Sequence, residues 1–159
     1  MRILCCQDGT NIEHITRALS LSTLVTVDER IIGLLYITDL GPHQEIERKR
    51  ERLLRPRHLS GPLYEKMRQA EVASAQDILQ GGLRYLPGAQ TLSRERNPER
   101  EIIQFASEWN ADLIVICPRS SVFGGSALGP KSVGHVAPFV LDHAPCRVLL
   151  IRLPADEKA

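Results

Sequence analysis

The chain has 159 residues, of which 43% are hydrophobic and 25% charged, and its formal net charge is +1. These values suit one globular domain with a sizeable core. The near-neutral charge excludes a strong field for nucleic acid or anionic membranes, and three Phe, three Tyr and one Trp leave few platforms for base stacking. No window approaches the ~18 apolar residues that cross a bilayer, and the N-terminal apolar run is too short for a signal peptide. We therefore expect a cytoplasmic protein that binds neither nucleic acid nor membrane.

The first forty residues predict a strand, a helix and a second strand. The apolar run RILCC (2–6) predicts a strand that the turn signal QDGT ends, and Cys5 and Cys6 should point to its opposite faces. A helix follows from Thr10. The near-continuous apolar run 30–38 predicts a strand that is covered on both faces.

A charged, variable connection is expected over residues 40–60. Within it, residues 45–58 carry six basic and three acidic residues, which allows a nucleic-acid patch but is more typical of a solvated helix or lid. A helix is then predicted over residues 61–82, ending at Gly81 and Gly82. Its predicted core-facing stripe consists of Leu63, Met67, Ala70, Ser74 and Ile78.

The second half continues the alternation of strands and helices. The predicted elements are a strand at 89–93, a helix over 97–110, a strand at 112–117, a helix from about residue 135 to 144, and a strand at 147–152. Asn97 is the expected N-cap of the first of these helices, with Pro98 at its first position. Pro138 is compatible with the other helix only if that helix begins near His135.

Five strands alternating with four helices predict a single-domain, Rossmann-like α/β fold over residues 1–153. Such a chain forms a parallel sheet with helices on both faces, and residues 154–159 are expected to be a flexible tail. Ligands of such sheets bind beyond the carboxyl ends of the strands, at the point where the strand order reverses.

Several segments resemble the universal stress protein family. They are the start MRILCCQDGT, the segment NPEREIIQFASEWNADLIVI and the ending HAPCRVLLIR. The resemblance implies a five-stranded sheet of order 3-2-1-4-5 and a homodimer that pairs through residues 147–152. It also implies binding of ATP or another adenine nucleotide in many members, whereas others lack the binding motif.

The resemblance places the adenosine end of a nucleotide site after the first two strands. Asp8 matches the acidic position that contacts adenosine, and Gly9 and Thr10 follow it as in the family. Ile37 matches the apolar position beside the adenine. On residue type alone, Asp8 could instead cap only the first helix.

The phosphate end would be the family's loop of pattern Gly-x2-Gly-x9-Gly-Ser/Thr. In one alignment Ser121 stands at the first glycine, Gly124 and Gly134 match the second and third, and His135 replaces the final Ser/Thr. Glycines there allow positive φ and a close approach of backbone N–H groups to phosphate. His135 could donate to phosphate or fill its place.

A second alignment begins the motif directly after the strand, with Cys117 and Ser120 at the first two glycines and four extra residues further on. In either alignment Gly125 keeps the loop supple, while Arg119 and Lys131 could neutralise phosphate charge. The loop is therefore either an altered phosphate loop or a flexible connection.

The sequence contains no recognisable catalytic constellation and no histidine spacing typical of a metal site. The leading interpretation is a cytoplasmic, dimeric stress-response or regulatory module that binds ATP or AMP, with Mg²⁺ as a conceivable companion, and acts on an unidentified protein partner. The alternative is a nucleotide-independent dimeric scaffold on the same fold. A third, weaker reading is an enzyme that hydrolyses ATP, at most slowly.

Overall fold

The alternation of strands and helices is reproduced in a computed structural model, which describes residues 1–21, 29–38, 61–117 and 135–152, the side chains of 61–64, 67 and 68 excepted. Its elements are β1 (Arg2–Cys6), α1 (Ile12–Leu21), β2 (Ile31–Thr38), α2 (Gly61–Tyr85), β3 (Gln90–Glu95), α3 (Pro98–Glu108), β4 (Leu113–Ile116), α4 (Val136–His143) and β5 (Arg147–Leu150). The charged connection 40–60, the glycine loop 118–134 and the tail 154–159 lie outside the described residues, as do the side chains of Leu63 and Met67.

The five strands form one parallel sheet of order β3-β2-β1-β4-β5, which confirms the predicted Rossmann-like α/β fold and strand order. Cys6 of β1 is the register partner of Leu35 on β2 and of Ile116 on β4. β1 and β4 are therefore neighbours at the point where the strand order reverses. Their carboxyl ends lie side by side at the edge where such sheets bind ligands.

The two faces of the sheet carry separate helix layers. Ile15 of α1 and Leu79 of α2 pack with Cys5 on one face. Phe105 of α3 packs on the other face, in a cluster that contains Cys6 and residues of α4. The predicted divergence of Cys5 and Cys6 is confirmed, because successive side chains of a strand point to opposite faces.

The predicted end of α2 at Gly81 and Gly82 is wrong, because the helix continues to Tyr85. A Cβ at position 82 would lie 2.9 Å from Oε1 of Gln7, so close packing favours a glycine here inside the helix. The chain leaves the helix through Gly88, whose φ of +87° lies in the left-handed region that favours glycine.

The predicted stripe of α2 is wrong at Ala70 and Ser74, which are exposed, whereas Ile78 is half-buried. The buried residues are Ala75 and Leu79. The small and polar residues of this helix give a weak periodic signal, so a stripe displaced by one residue fitted the sequence almost equally well.

The starts of α3 and α4 follow the sequence signals in position. Asn97 precedes α3 and Pro98 is its first residue, but the Asn97 side chain makes no capping hydrogen bond. His135 is the N-cap residue of α4, so Pro138 falls in the first turn, where backbone N–H groups have no intrahelical partner.

Candidate functional site

Asp8 and Cys117 follow the carboxyl ends of the neighbouring strands β1 and β4. Burial raises the pKa of the Cys117 thiol to about 11, and the negative charge of Asp8 adds to the rise. The carboxylate therefore lies close to the residue from which the glycine loop departs. His135 stands at the other end of that loop, at the start of α4. The loop therefore begins directly after β4 and ends at α4, which packs on the sheet with α3.

The Asp8 carboxylate is held by a tight turn between β1 and α1. Its Oδ1 accepts hydrogen bonds from the backbone N–H of Thr10 at 2.8 Å and from the Thr10 hydroxyl at 2.9 Å. Gly9 makes the turn with a φ of +92°, which favours glycine. Asn11 directly precedes α1, and its carbonyl accepts the N–H of Ile15. Asn11 thus occupies the N-cap position, and Asp8 organises the turn ahead of it.

The second carboxylate oxygen of Asp8, Oδ2, is available as an acceptor as far as the described residues are concerned. Both hydrogen bonds that the described residues donate to Asp8 go to Oδ1. Oδ2 accepts none from this part of the chain. A carboxylate with one oxygen fixed and the other available is an oriented acceptor for a ligand hydroxyl or amino group.

Ile37 lies near the end of β2, on the side of the sheet that faces α3 and α4. Cys6 pairs with Leu35, and two residues beyond this pair stand Asp8, in the turn after β1, and Ile37, within β2. Ile37 is half-buried, so part of its apolar surface remains accessible. The structure thus brings an apolar surface and an oriented carboxylate to the same edge of the sheet.

His135 has a partner that the sequence did not reveal. Its Nε2 lies 3.4 Å from Oε2 of Glu99, in the first turn of α3. The His135 side chain is 79% exposed and that of Glu99 only 19%, and the buried Oε2 has no hydrogen-bond partner within the described structure. The sole sequence signal was an acidic residue in the first turn of a predicted helix, which helix dipoles favour in any case.

The remaining predicted phosphate-loop residues lie outside the described ranges. They are Arg119, Ser121, Gly124, Gly125 and Gly134.

Gly9 and Thr10 also line a cavity of about 560 Å³ between α1 and α2. Gln7 also lines this cavity, although no motif in the sequence marks it as a site residue. The available signal was a lone polar residue directly after the apolar run RILCC.

The residues that the structure describes contain no group of three His, Cys, Asp or Glu side chains arranged to hold a metal ion. None of their helices combines the length and apolar character needed to cross a bilayer.

The strand order defines a doubly wound, Rossmann-like α/β protein. Asp8, Ile37 and Cys117 lie at the carboxyl ends of its strands, close to the reversal of strand order where such sheets generally bind ligands. The profile of the Universal stress protein family matches residues 44–152, and the chain belongs to this family. Among curated proteins, none matches the sequence.

Solved structures with the same fold include universal stress proteins from three organisms. UspA from Lactobacillus plantarum is 22% identical, with a TM-score of 0.66 and coverage of 96% of this chain and 97% of that one. A family protein from Arabidopsis thaliana with AMP bound is 17% identical, with a TM-score of 0.62 and coverage of 100% and 95%. The protein from Archaeoglobus fulgidus in complex with dAMP is 20% identical, with a TM-score of 0.54 and coverage of 95% and 97%. These similarities establish the shared fold.

Proposed function

We propose that the chain is a cytoplasmic stress-response or regulatory module that binds an adenine nucleotide, ATP or AMP, at the carboxyl ends of β1, β2 and β4. The observation that carries the proposal is the oriented Asp8 carboxylate beside Cys117, at the reversal point of the sheet. The AMP-bound protein from Arabidopsis and the dAMP-bound protein from Archaeoglobus support an adenine nucleotide as the ligand.

The adenosine end would be held by residues of β1 and β2. Oδ2 of Asp8 accepts a hydrogen bond from an adenosine hydroxyl or amino group, and Thr10 keeps the carboxylate oriented. The apolar side chain of Ile37 packs against the purine. Gly9 lets the backbone approach the ligand without a Cβ in the way.

The phosphate end would be formed by the loop 118–134 and the start of α4. Arg119 and the backbone N–H groups near Ser121, Gly124, Gly125 and Gly134 are the candidate phosphate donors. Mg²⁺ could accompany a bound polyphosphate. We expect at most slow hydrolysis, because no general base or nucleophile is recognised in the sequence.

The module would act as a homodimer through β5. Among the described strands β5 pairs only with β4, so it stands at an edge of the sheet. Its residues Val148, Leu149 and Leu150 are only half-buried within one chain. An exposed apolar edge strand requires cover, and a second copy of the same strand supplies it.

The nucleotide proposal is tested by titration calorimetry with AMP and ATP. Asp8→Ala removes a charge-assisted hydrogen bond of about 1.5–3 kcal/mol, so affinity should fall roughly ten- to a hundredfold. Asp142→Ala makes the same chemical change at an exposed position in α4 and should leave the affinity unchanged. Mass spectrometry of the denatured protein gives an independent test, because a co-purified nucleotide would be released.

The alternative function is a nucleotide-independent dimeric scaffold on the same fold. The Glu99 carboxylate beside His135 favours it, since a negative charge at the start of α4 disfavours phosphate. If neither AMP nor ATP produces heat or a thermal shift with the wild-type protein, the scaffold interpretation replaces the nucleotide proposal.

A further inference from the structure

Asp8, Ile37 and Cys117 are absent from the lining of the cavity between α1 and α2. Ile37 lies on the face of the sheet that packs against α3 and α4, whereas Gln7 packs toward Leu34 of β2 and Gly82 of α2. The volume of about 560 Å³ is within the range of roughly 300–1,000 Å³ that is usual for small-molecule sites. The cavity is thus a separate candidate site.

Gln7 gives the cavity wall a buried amide nitrogen that has no partner among the described residues. The residue is 6% exposed, and its Nε2 makes no hydrogen bond within the described structure. The backbone N–H of Gln7, in contrast, donates to the carbonyl of Leu35 at 3.0 Å. Buried amides nearly always have partners, and a turn of the amide about its last bond can present either its donor or its acceptor end to a ligand.

Two adjacent glycines of α2 border this site for different reasons. A Cβ on Gly82 would lie 2.9 Å from Oε1 of Gln7 and 3.0 Å from Cδ1 of Leu34, so packing disfavours a side chain at this position. A Cβ on Gly81 would meet no atom within 4 Å in the described structure, and Gly81 lines the cavity. Glycine disfavours a helix interior more than any residue except proline, so a glycine that packing does not require is consistent with keeping the space open.

The rim of the cavity carries charges of both signs. Glu13 and Asp77 are acidic, Arg84 is basic, and all three are exposed. The Tyr85 hydroxyl donates to Oε1 of Glu13 at 2.7 Å and links α1 to α2 beside the cavity. An ammonium group matches the two carboxylates, and a carboxylate matches the guanidinium. A zwitterion therefore fits the rim, while the amide of Gln7 requires a polar group deeper in the site.

We propose that this cavity binds a free α-amino acid with a carboxamide side chain. The backbone ammonium and carboxylate of the ligand pair with the charged rim. Its carboxamide pairs with the amide of Gln7, because a carboxamide can both donate a hydrogen bond to that amide and accept one from it. The site is independent of the nucleotide site, although the turn at Gly9 and Thr10 borders both.

The test uses L-glutamine as the probe and L-methionine, of the same length but without the amide, as its control. In titration calorimetry the wild-type protein should bind L-glutamine at least about tenfold more tightly than L-methionine, because only the former pairs with the buried amide. Gln7→Met should remove this preference. In the absence of ligand it should also raise Tm by about 2–4 °C, since an unpaired buried amide is replaced by an apolar side chain of similar shape.

A second pair of variants tests the location. Gly81→Phe fills the cavity and should abolish L-glutamine binding, whereas Gly81→Ala leaves most of the space and should retain it. AMP should neither compete with L-glutamine nor lose affinity in Gly81→Phe. The L-glutamine results can be obtained whether or not the protein binds nucleotides.

Three results would overturn the proposal. The first is the absence of saturable L-glutamine binding at about 10 mM, a concentration that detects even millimolar affinity. The second is equal L-glutamine affinity in wild type and Gln7→Met. The third is displacement of L-glutamine by AMP, which would assign the cavity to the nucleotide site.

Discussion

Nε2 of His135 lies 3.4 Å from Oε2 of Glu99, where α4 begins beside the first turn of α3. The Glu99 oxygen is buried, and the exposed imidazole of His135 lies beside it. In the pattern that the sequence resembles, a small hydroxyl residue stands at the position of His135. The histidine here therefore lies against an acidic neighbour, and any phosphate bound at this end of α4 would meet both side chains.

His135→Ser should weaken ATP binding, because it exposes the Glu99 carboxylate to the phosphates. The pair is partly exposed, so the expected loss is about two- to fivefold, smaller for AMP with its fewer charges. Adding Glu99→Gln to His135→Ser should restore or tighten binding. Titration calorimetry with both nucleotides checks these changes. Tighter ATP binding by His135→Ser alone would instead mean that the ring occupies the phosphate position.

The adjacent glycines of α2 should respond to alanine with opposite signs. Gly81→Ala should stabilise the protein by about 1 kcal/mol, because alanine favours a helix and its Cβ meets no described atom. Gly82→Ala should destabilise it by about 1–3 kcal/mol, because its Cβ would crowd Gln7 and Leu34. Urea denaturation of both variants measures the two changes, each serving as the control for the other. Destabilisation by Gly81→Ala would show that atoms outside the described residues fill this space.

The fold was predictable because its strongest signals are local. The runs ILCC and LIVIC are continuously apolar, as is typical of central parallel strands, and they lie in or directly after β1 and β4. The end and the buried face of helix α2 were not predictable from the sequence, because they depend on contacts of its glycines and small residues with β2 and with the residues after β1. A single sequence does not display such non-local contacts.

The candidate site was predictable only for residues that a motif marks. Asp8, Gly9 and Thr10 lie together in one turn, as the sequence DGT predicts. Glu99 and Gln7 could not be predicted as site residues, because their roles depend on contacts between residues far apart in the sequence. Glu99 is 36 residues before His135 along the chain, and Gln7 is 75 residues before Gly82.

The buried thiols predict an alkaline loss of stability. Burial raises the pKa of Cys5 from 9.0 to about 12, so the unfolded chain ionises this thiol at a lower pH than the folded one. The contribution of Cys5 is therefore complete below pH 9 and declines between about pH 9 and 12, by up to 1.4 kcal/mol per pH unit. Urea denaturation at several pH values should show a shallower alkaline decline in Cys5→Ala than in wild type. Cys146→Ala, at a half-buried position, is the control and should alter the slope less.

The exposed edge of β5 predicts a homodimer. The hydrogen-exchange rates of its interface amides should then depend on protein concentration. If residues 147–152 pair with a second copy, their outward backbone groups gain hydrogen bonds only in the dimer. Hydrogen exchange of this segment should then accelerate on dilution below the dissociation constant. The amides of β1, which pair with β2 and β4 inside one chain, should not change and provide the control. Sedimentation should give a dimer at micromolar concentration. A monomer at that concentration, together with hydrogen exchange at β5 that does not change on dilution, would rule out pairing through this edge.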